Sequence, residues 1–204
     1  MRRLTTAILG VAFLVFAAPA AAQTFGFGVH AGVSLPMGDY ADTDTQESGA
    51  AELGFMGGVD LFFPLGMAPG LSWLTSVSAV AHSVDGDVFA GTGIDVTGGY
   101  LLFPVMTGLR FDIPAGPLGL FVQGQAGIVL AKGPSFSSSL GSANSEWGSK
   151  FGFNIGAGAQ VSQNIYAGLR YFPLGDTKLK YEEAPDGVDQ NISFLDIFVG
   201  FAVR

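Results

Sequence analysis

Apolar residues alternate with small or polar ones along most of the chain. The stretch from Phe151 to Val161 shows this most clearly, because its odd positions are apolar and its even positions are glycine, Asn154 or Gln160. A period of two indicates a β-strand whose two faces meet different surroundings. Eight segments have this pattern, and we predict that each is a strand. The predicted strands are residues 24–35, 52–63, 71–82, 99–112, 118–131, 147–162, 165–172 and 191–203.

Long and short connections alternate between these strands. The long ones are rich in Gly, Ser and charged residues, and the short ones contain Pro, Gly or Asn. Eight antiparallel strands joined in this way place every long loop at one end, as in outer-membrane barrels. We therefore predict an all-β fold, a closed eight-stranded antiparallel up-and-down transmembrane β-barrel. Apolar side chains face lipid, and small and polar ones face the interior; a soluble barrel would have the reverse arrangement. The long connections are residues 38–49, 83–98, 132–146 and 173–190, and the short ones 64–70, 113–117 and 162–164.

Pro104 falls inside the fourth predicted strand. Proline has no N–H to donate to a strand ladder, so in a sheet it is confined to edges and irregular positions. We expect a local bulge at this residue.

Five aromatic residues lie near the ends of predicted strands. Tryptophan and tyrosine form girdles at membrane interfaces, because their rings are apolar while their tips are polar. We expect girdle positions for them, with ordinary packing as the alternative. The five residues are Trp73, Trp147, Tyr100, Tyr171 and Tyr181.

The N-terminus has the features of a secretory signal peptide. Arg2 and Arg3 precede a short apolar run, and Ala20 and Ala22 form a small-residue cleavage site. The run is too short to span a bilayer comfortably, which disfavours a retained anchor. We predict a signal peptide at residues 1–22 and one outer-membrane barrel domain at residues 23–204.

Charge and cysteine content exclude several classes of function. Without the two signal-peptide arginines, seven basic residues face seventeen acidic ones, a net charge of −10. Nucleic-acid binding is not expected, since phosphates require basic patches. There are no cysteines, so the fold must be stable without disulfides. The remaining sequence is poor in charge yet has no apolar run long enough for a transmembrane helix, which favours a barrel.

Polar residues on the predicted inward face form the main candidate site. An eight-stranded barrel is just wide enough for side chains to fill it, and buried charges must be paired. We expect Arg110 and Arg170 to pair with Asp60 and Asp196 in a structural network; an ion path or ligand contact is the alternative. The predicted network is Asp60, Arg110, Gln123, Gln125, Lys150, Asn154, Arg170 and Asp196, with Asp112, Gln160 and Arg204 also on inward positions.

Catalytic and metal sites have weaker support. His30 and His82 face inward, and a histidine near Ser34, Ser76 or Ser78 would suit ester hydrolysis, but no spacing rises above chance. We predict no catalytic residue and no cofactor. Acidic residues in the first and last long connections offer the oxygen ligands of hard cations, yet a solvated rim is favoured over a metal site. These acids are Asp39, Asp42, Asp44, Glu47, Glu182, Glu183, Asp186 and Asp189.

Four glycine- and aromatic-rich segments resemble the small outer-membrane β-barrel family, which includes OmpA-type transmembrane domains, OmpX-like proteins and opacity-type adhesins. The resemblance covers nearly all of residues 23–204. It implies an outer-membrane protein that contacts lipid and lipopolysaccharide and is delivered by periplasmic chaperones and the barrel-assembly machinery. We expect a structural, adhesive or surface-interaction role through the acidic outer loops. The alternatives are a narrow channel or transporter and a lipid-modifying enzyme. The segments are residues 103–111, 121–127, 151–159 and 168–172.

Overall fold

The computed structural model describes residues 25–43, 49–115, 118–139, 141–182 and 184–203. The predicted signal peptide, Asp44, Glu47, Glu183, Arg204 and the side chain of Asp186 lie outside the described residues. Among the described residues, no helix has the length and apolar character needed to cross a membrane. The strands are β1 (Gly26–Pro36), β2 (Ala51–Pro64), β3 (Leu71–Val84), β4 (Ile94–Thr97), β5 (Tyr100–Ala115), β6 (Leu118–Lys132), β7 (Ser135–Ser138), β8 (Gly141–Ala143), β9 (Ser145–Glu146), β10 (Gly148–Gln160), β11 (Ile165–Tyr181) and β12 (Ala184–Val203), with short 3-10 helices at Gly38–Tyr40 and Gly86–Phe89.

Eight long strands form a ring in which each strand is hydrogen-bonded to two neighbours. Their order is β1-β2-β3-β5-β6-β10-β11-β12, and β12 pairs with β1 to complete the ring. Every pairing is antiparallel, and consecutive long strands are neighbours. The predicted eight-stranded, antiparallel, up-and-down arrangement is therefore confirmed.

The two faces of the ring differ as the alternation predicts. Outward side chains are apolar and exposed, for example Phe55 at 70%, Phe151 at 71% and Val199 at 58%. The inward set is buried, but it is less polar than the prediction, because large apolar side chains occupy much of it. These include Leu74, Val80, Leu102, Met106, Val129, Phe172, Phe194 and Phe198.

Interior glycines make room for the large inward rings. A Cβ atom at Gly200 would overlap the ring of Tyr166, and one at Gly158 would overlap the ring of Phe121. Interiors are close-packed, so a ring of this size needs small residues opposite it. At these two positions, glycine on one strand is thus the counterpart of a bulky aromatic residue on another strand.

The predicted loop at residues 173–190 is wrong, because strands β11 and β12 continue through most of it as a paired ribbon. The register shifts between Pro173 and Gly175, where Gly175 has a φ of +63°. Beyond the shift the odd residues Leu179 and Tyr181 are buried. The buried positions change from even to odd residue numbers at the shift, and lysines alternate with them. For these two reasons the sequence pattern did not predict this extension of the strands.

Two other predicted loops contain short strands. The connections at residues 83–98 and 132–146 together supply a three-stranded sheet in the order β4-β7-β8. Strand β9 pairs with the ribbon at Lys180 and Tyr181. The outer side therefore carries ordered β-structure where the sequence predicts irregular loops.

No bulge occurs at Pro104, contrary to the prediction. The β3–β5 register is the same on both sides of it, but the pairs that would join Ser78 and Ala79 to β5 are missing. The missing proline N–H interrupts the ladder without inserting a residue.

The first outer connection folds over the mouth of the ring. Tyr40 is fully buried, and its ring packs edge-on against Tyr100 at 4.9 Å and His82 at 5.3 Å between centroids. Burial, together with Tyr100, raises the pKa of the Tyr40 phenol well above its ordinary value of 10.0. Two girdle predictions are wrong, since Tyr100 and Tyr181 are buried, whereas Trp73 and Trp147 are 42% and 46% exposed.

Candidate functional site: the polar cluster of the barrel interior

Seven buried polar side chains meet in the middle of the ring, and we call them the central cluster. They come from five strands whose inward positions coincide in height because the strands are cross-paired. Asp196, for example, lies directly opposite Ser34 on one side and Arg170 on the other. The members of the cluster are His30, Asp60, Ser76, Ser78, Tyr166, Arg170 and Asp196.

Asp60 is the most highly bonded member of the cluster. Its carboxylate accepts hydrogen bonds from the Ser76 hydroxyl at 2.5 Å and the Tyr166 hydroxyl at 2.7 Å. Its Oδ2 also lies 3.0 Å from Nδ1 of His30. Three partners from three other strands hold this carboxylate, which compensates for its removal from water.

His30 connects Asp60 to the other side of the interior. Its Nε2 lies 3.0 Å from Nη2 of Arg170 and 3.2 Å from the Ser78 hydroxyl. A guanidinium group only donates, so Nε2 must accept this bond and Nδ1 must carry the proton that it donates to Asp60. The tautomer of His30 is thereby assigned by its partners.

Arg170 lies between two acidic groups. It donates to His30, which is bonded to Asp60, and its Nε is 3.8 Å from Oδ2 of Asp196. Both Arg170 and Asp196 are fully buried, at 1% and 0% exposure. The ring of Phe198 lies 5.1 Å from the guanidinium carbon. Arg170 is therefore the cation shared by the two buried carboxylates.

Arg110 has different partners from those the sequence predicts. Its Nη2 and Nε donate to Oδ1 of Asp112 at 2.8 and 3.0 Å, rather than to Asp60 or Asp196. The guanidinium carbon also lies 3.6 Å from the centre of the Phe121 ring. Asp112 is two residues along the same strand and so lies on the same face, while Tyr166 already occupies the nearer side of Asp60.

Of the remaining predicted residues, Gln123 and Gln125 are linked to the central cluster by hydrogen bonds, whereas Asn154 and Lys150 are not. Gln125 donates to the Ser76 hydroxyl at 3.0 Å and so reaches the central cluster, and Gln123 donates to Gln125 at 3.4 Å. Asn154 is buried nearby, but neither atom of its amide has a hydrogen-bond partner. Lys150 lies outside the cluster at the outer end of β10, where its Nζ donates to the carbonyl oxygen of Asp176.

Comparison with known proteins places this architecture in a family. A model of the outer membrane protein β-barrel domain matches residues 8–203. The chain belongs to this family. It is therefore an outer-membrane protein, and its interior cluster lies within the membrane-spanning barrel.

Solved structures of such barrels are similar to the chain in fold. Neisserial surface protein A has 13% identity and a TM-score of 0.54, over 90% of this chain and 99% of that one. Ail of Yersinia pestis has 16% identity and a TM-score of 0.47, over 88% and 97%. OprG of Pseudomonas aeruginosa has 13% identity and a TM-score of 0.47, over 89% and 97%. No curated protein sequence matches the chain.

Four members of the cluster, His30, Ser76, Ser78 and Tyr166, were considered in the sequence only as catalytic candidates or not at all. His30 and Ser76 bond directly to Asp60, and so does Tyr166, which was not among the candidate residues predicted from the sequence. All of these residues occupy inward positions of the alternation, so the sequence pattern already placed them on the inner face of the ring. What the sequence did not show was the cross-strand register that brings them to one carboxylate.

The order Ser78–His30–Asp60 has the connectivity of an acyl-transfer triad. Here, however, the accepting nitrogen of His30 is also bonded to Arg170. Ser78 is only 3% exposed, which leaves its hydroxyl out of contact with solvent. This arrangement suits a fixed network better than a nucleophile that receives a substrate. His82, the other candidate base, is 2% exposed and bonded through Nδ1 to the carbonyl oxygen of Glu52.

The outer acidic side chains that the structure describes do not converge on one point. Asp39 is exposed on the first connection, Asp189 lies opposite Lys178 in the register of the ribbon, and Glu182 accepts a hydrogen bond from Asn144. No group of three or more His, Cys, Asp or Glu side chains suited to a metal ion occurs in the part of the chain that the structure describes.

Proposed function

We propose that this outer-membrane protein is a sealed barrel whose role is structural and interactive at the cell surface. Residues 1–22 serve as its export signal, and residues 23–204 form the mature barrel that chaperones and the assembly machinery deliver to lipid and lipopolysaccharide. The central cluster and the outer β-structure support the two parts of this proposal separately.

The packing of Arg110 and Phe121 is the observation that carries the sealed interior. The guanidinium lies 3.6 Å from the ring centre and also within 5.5 Å of the rings of Phe62 and Tyr166. These four side chains come from four strands and meet across the axis of the ring. An eight-stranded ring leaves room for little else at this level.

A second packed layer lies towards the outer side. Phe172 and Phe194 are stacked at 4.6 Å between centroids, and both are fully buried. Above them Tyr40 packs on His82, which in turn packs on Phe194 at 6.0 Å. An ion would have to displace both aromatic layers, and it would also meet Asp60 and His30, which are already hydrogen-bonded to other members of the cluster.

The interactive part of the proposal is supported by the outer β-structure. The ribbon of β11 and β12 and the β4-β7-β8 sheet hold their backbones in defined positions outside the ring. Phe136 of β7 packs on Tyr181 of the ribbon at 6.1 Å, which fixes the small sheet to the barrel. Such anchored loops are where binding surfaces are usually built.

Single-channel recording in planar bilayers tests the sealed barrel. We expect no conductance steps from the wild-type protein. The double variant Phe172→Ala/Phe194→Ala removes the outer stacked pair, and a triple variant with Arg110→Ala opens the inner layer as well. Steps from the triple variant only would show that the recording detects an open ring. Steps from the wild-type protein would contradict the sealed barrel and favour a narrow channel.

A further inference from the structure

The outer three-stranded sheet has an open edge beside a groove. Strand β4 pairs with β7 on one side, and no other strand pairs with β4 in the part of the chain that the structure describes. An unpaired strand edge presents N–H and C=O groups that are free to bond another chain. The groove beside it has a volume of about 480 Å³ and is lined by β4, the 3-10 helix Gly86–Phe89 and the turn between them.

The groove is held open by its own residues. Phe89 packs on Phe136 of β7 at 5.7 Å, and Phe136 packs on Tyr181 of the ribbon, so both walls are fixed to the barrel. Gly86, Gly91 and Gly93 line the space, and a Cβ atom added at any of them would meet no other atom within 4 Å. The volume falls in the range of ordinary binding pockets.

The chain segment that lines the groove carries charge of one sign only. Residues 83–99 include three aspartates and no basic residue. Asp95 is exposed on β4 itself and lines the groove. Asp87 lies in the first turn of the 3-10 helix, and Asp85 caps that helix by accepting a hydrogen bond from the Asp87 N–H. A partner lying here would gain from positive side chains directed at these carboxylates.

We propose that the free edge of β4 and its groove are a docking site for an extended, positively charged peptide segment, which adds to the small sheet as a fourth strand. Backbone hydrogen bonds to β4 supply the affinity, and the aspartates select basic side chains, as in other cases of strand addition. This inference rests on the proposed surface-interaction role and names the class of partner for it.

The probe is a fluorescent octapeptide of alternating lysine and threonine, titrated by fluorescence polarisation against the refolded protein in a neutral detergent. Two further peptides carry N-methyl groups on the odd or on the even backbone amides. Strand addition uses the amides of one edge, so one methylated peptide should lose at least tenfold in affinity while the other binds like the parent. Equal affinities for the two methylated peptides, or no binding of the parent at millimolar concentration, would overturn the proposal.

Two pairs of variants locate the site. Asp95→Lys should weaken binding at least tenfold, whereas Asp39→Lys, with the same change of charge on another outer connection, should change it less than twofold. Gly86→Phe should fill the groove and abolish binding, while Gly86→Ala should retain it. Heat-modifiable migration on a gel confirms that each variant is folded. Equal losses for the two charge reversals would mean non-specific attraction and would overturn the site.

The conductance of the same preparation separates the two proposals. A silent barrel that binds no peptide would remove the docking site and leave the sealed barrel intact. A conducting barrel that binds the peptide as expected would remove the sealed barrel and leave the docking site.

Discussion

The two buried arginines of the barrel interior have the same exposure but different surroundings. Arg110 is paired with Asp112 on its own strand and stacked on Phe121. Arg170 is shared between His30 and Asp196, which lie on two other strands. The side chain of Asp112 is 30% exposed, whereas that of Asp196 is not exposed at all.

This difference shows how a narrow barrel accommodates charge in two ways. Near the end of a strand, an ion pair keeps one partner in contact with solvent and needs only local geometry. In the middle of the ring both carboxylates are buried, so one cation has to serve the two of them through cross-strand contacts. Loss of the guanidinium should therefore cost far more at position 170 than at position 110.

The largest effect is expected for Arg170→Met. It removes the shared cation and leaves Asp60 and Asp196 buried without a counter-charge, which should lower the free energy of unfolding by about 3–5 kcal/mol. Urea unfolding in lipid vesicles, followed by the gel mobility of unheated samples, measures this. Adding Asp196→Asn should recover part of the loss. A loss below about 1 kcal/mol would mean that the two carboxylates do not depend on this cation.

A smaller loss is expected for Asp60→Asn. The amide keeps the size of the side chain but weakens the hydrogen bonds from Ser76 and Tyr166, which now end on a neutral group. We expect the free energy of unfolding to fall by about 2 kcal/mol, since bonds to charged groups contribute about 1.5–3 kcal/mol. Asp112→Asn is the matched control and should cost less than half as much, because its carboxylate is partly solvated. Equal losses at the two positions would contradict the distinction between the two regions.

Arg110→Met should cost about 1 kcal/mol, the size of a partly desolvated cation–π contact. The methionine retains the apolar contact with Phe121, and Asp112 is left with access to water. The same urea unfolding experiment measures this loss in the free energy of unfolding. The ratio between the losses of Arg110→Met and Arg170→Met compares the two regions most directly. A loss as large as that of Arg170→Met would mean that Asp112 is not solvated as its exposure indicates.

The smallest effect is expected for Tyr40→Phe in the outer connection. The Tyr40 hydroxyl is buried without a hydrogen-bond partner, so its removal should leave stability at neutral pH unchanged or slightly higher.

Alkaline pH should separate Tyr40→Phe from the wild-type protein. Folding raises the pKa of Tyr40, so the folded protein favours the protonated phenol. The free energy of unfolding that depends on this protonation is fully present below the ordinary tyrosine pKa of about 10, and it is lost as the pH rises through the folded-state pKa. The variant should lack this alkaline step. Ultraviolet titration of the phenolates, alongside unfolding at each pH, checks the difference. Identical alkaline transitions in the two proteins would mean that Tyr40 is not buried against Tyr100.

The ring itself was predictable because one face of each strand meets lipid. This requirement forces long runs of strict alternation, which place Phe55, Phe151 and Val199 outside as predicted. The outer ribbon was not predictable in the same way. It lies beyond the lipid, so its outward residues are free to be charged, and the shift at Pro173 changes the phase of the buried positions.

The candidate site was predictable in content but not in pairing. The period-two alternation alone places Asp60, Arg170 and Asp196 inside the ring. Which of these side chains meet depends on the stagger between the strands. The sequence contains no direct signal of that stagger. Arg110 does not depend on it, because its partner Asp112 lies two residues along the same strand. The three partners of His30 lie 30, 48 and 140 residues away along the chain, so the sequence alone presented His30 only as a candidate base.

The proton on Nδ1 of His30 tests the central claim most directly. In a sealed interior with the contacts described, nitrogen-15 and proton NMR of the refolded protein should show Nδ1 protonated and Nε2 bare. The Nδ1 proton should exchange slowly with water, because Asp60 holds it and no solvent reaches it. Protonation of Nε2, or exchange of the Nδ1 proton as fast as that of a free imidazole, would contradict the account.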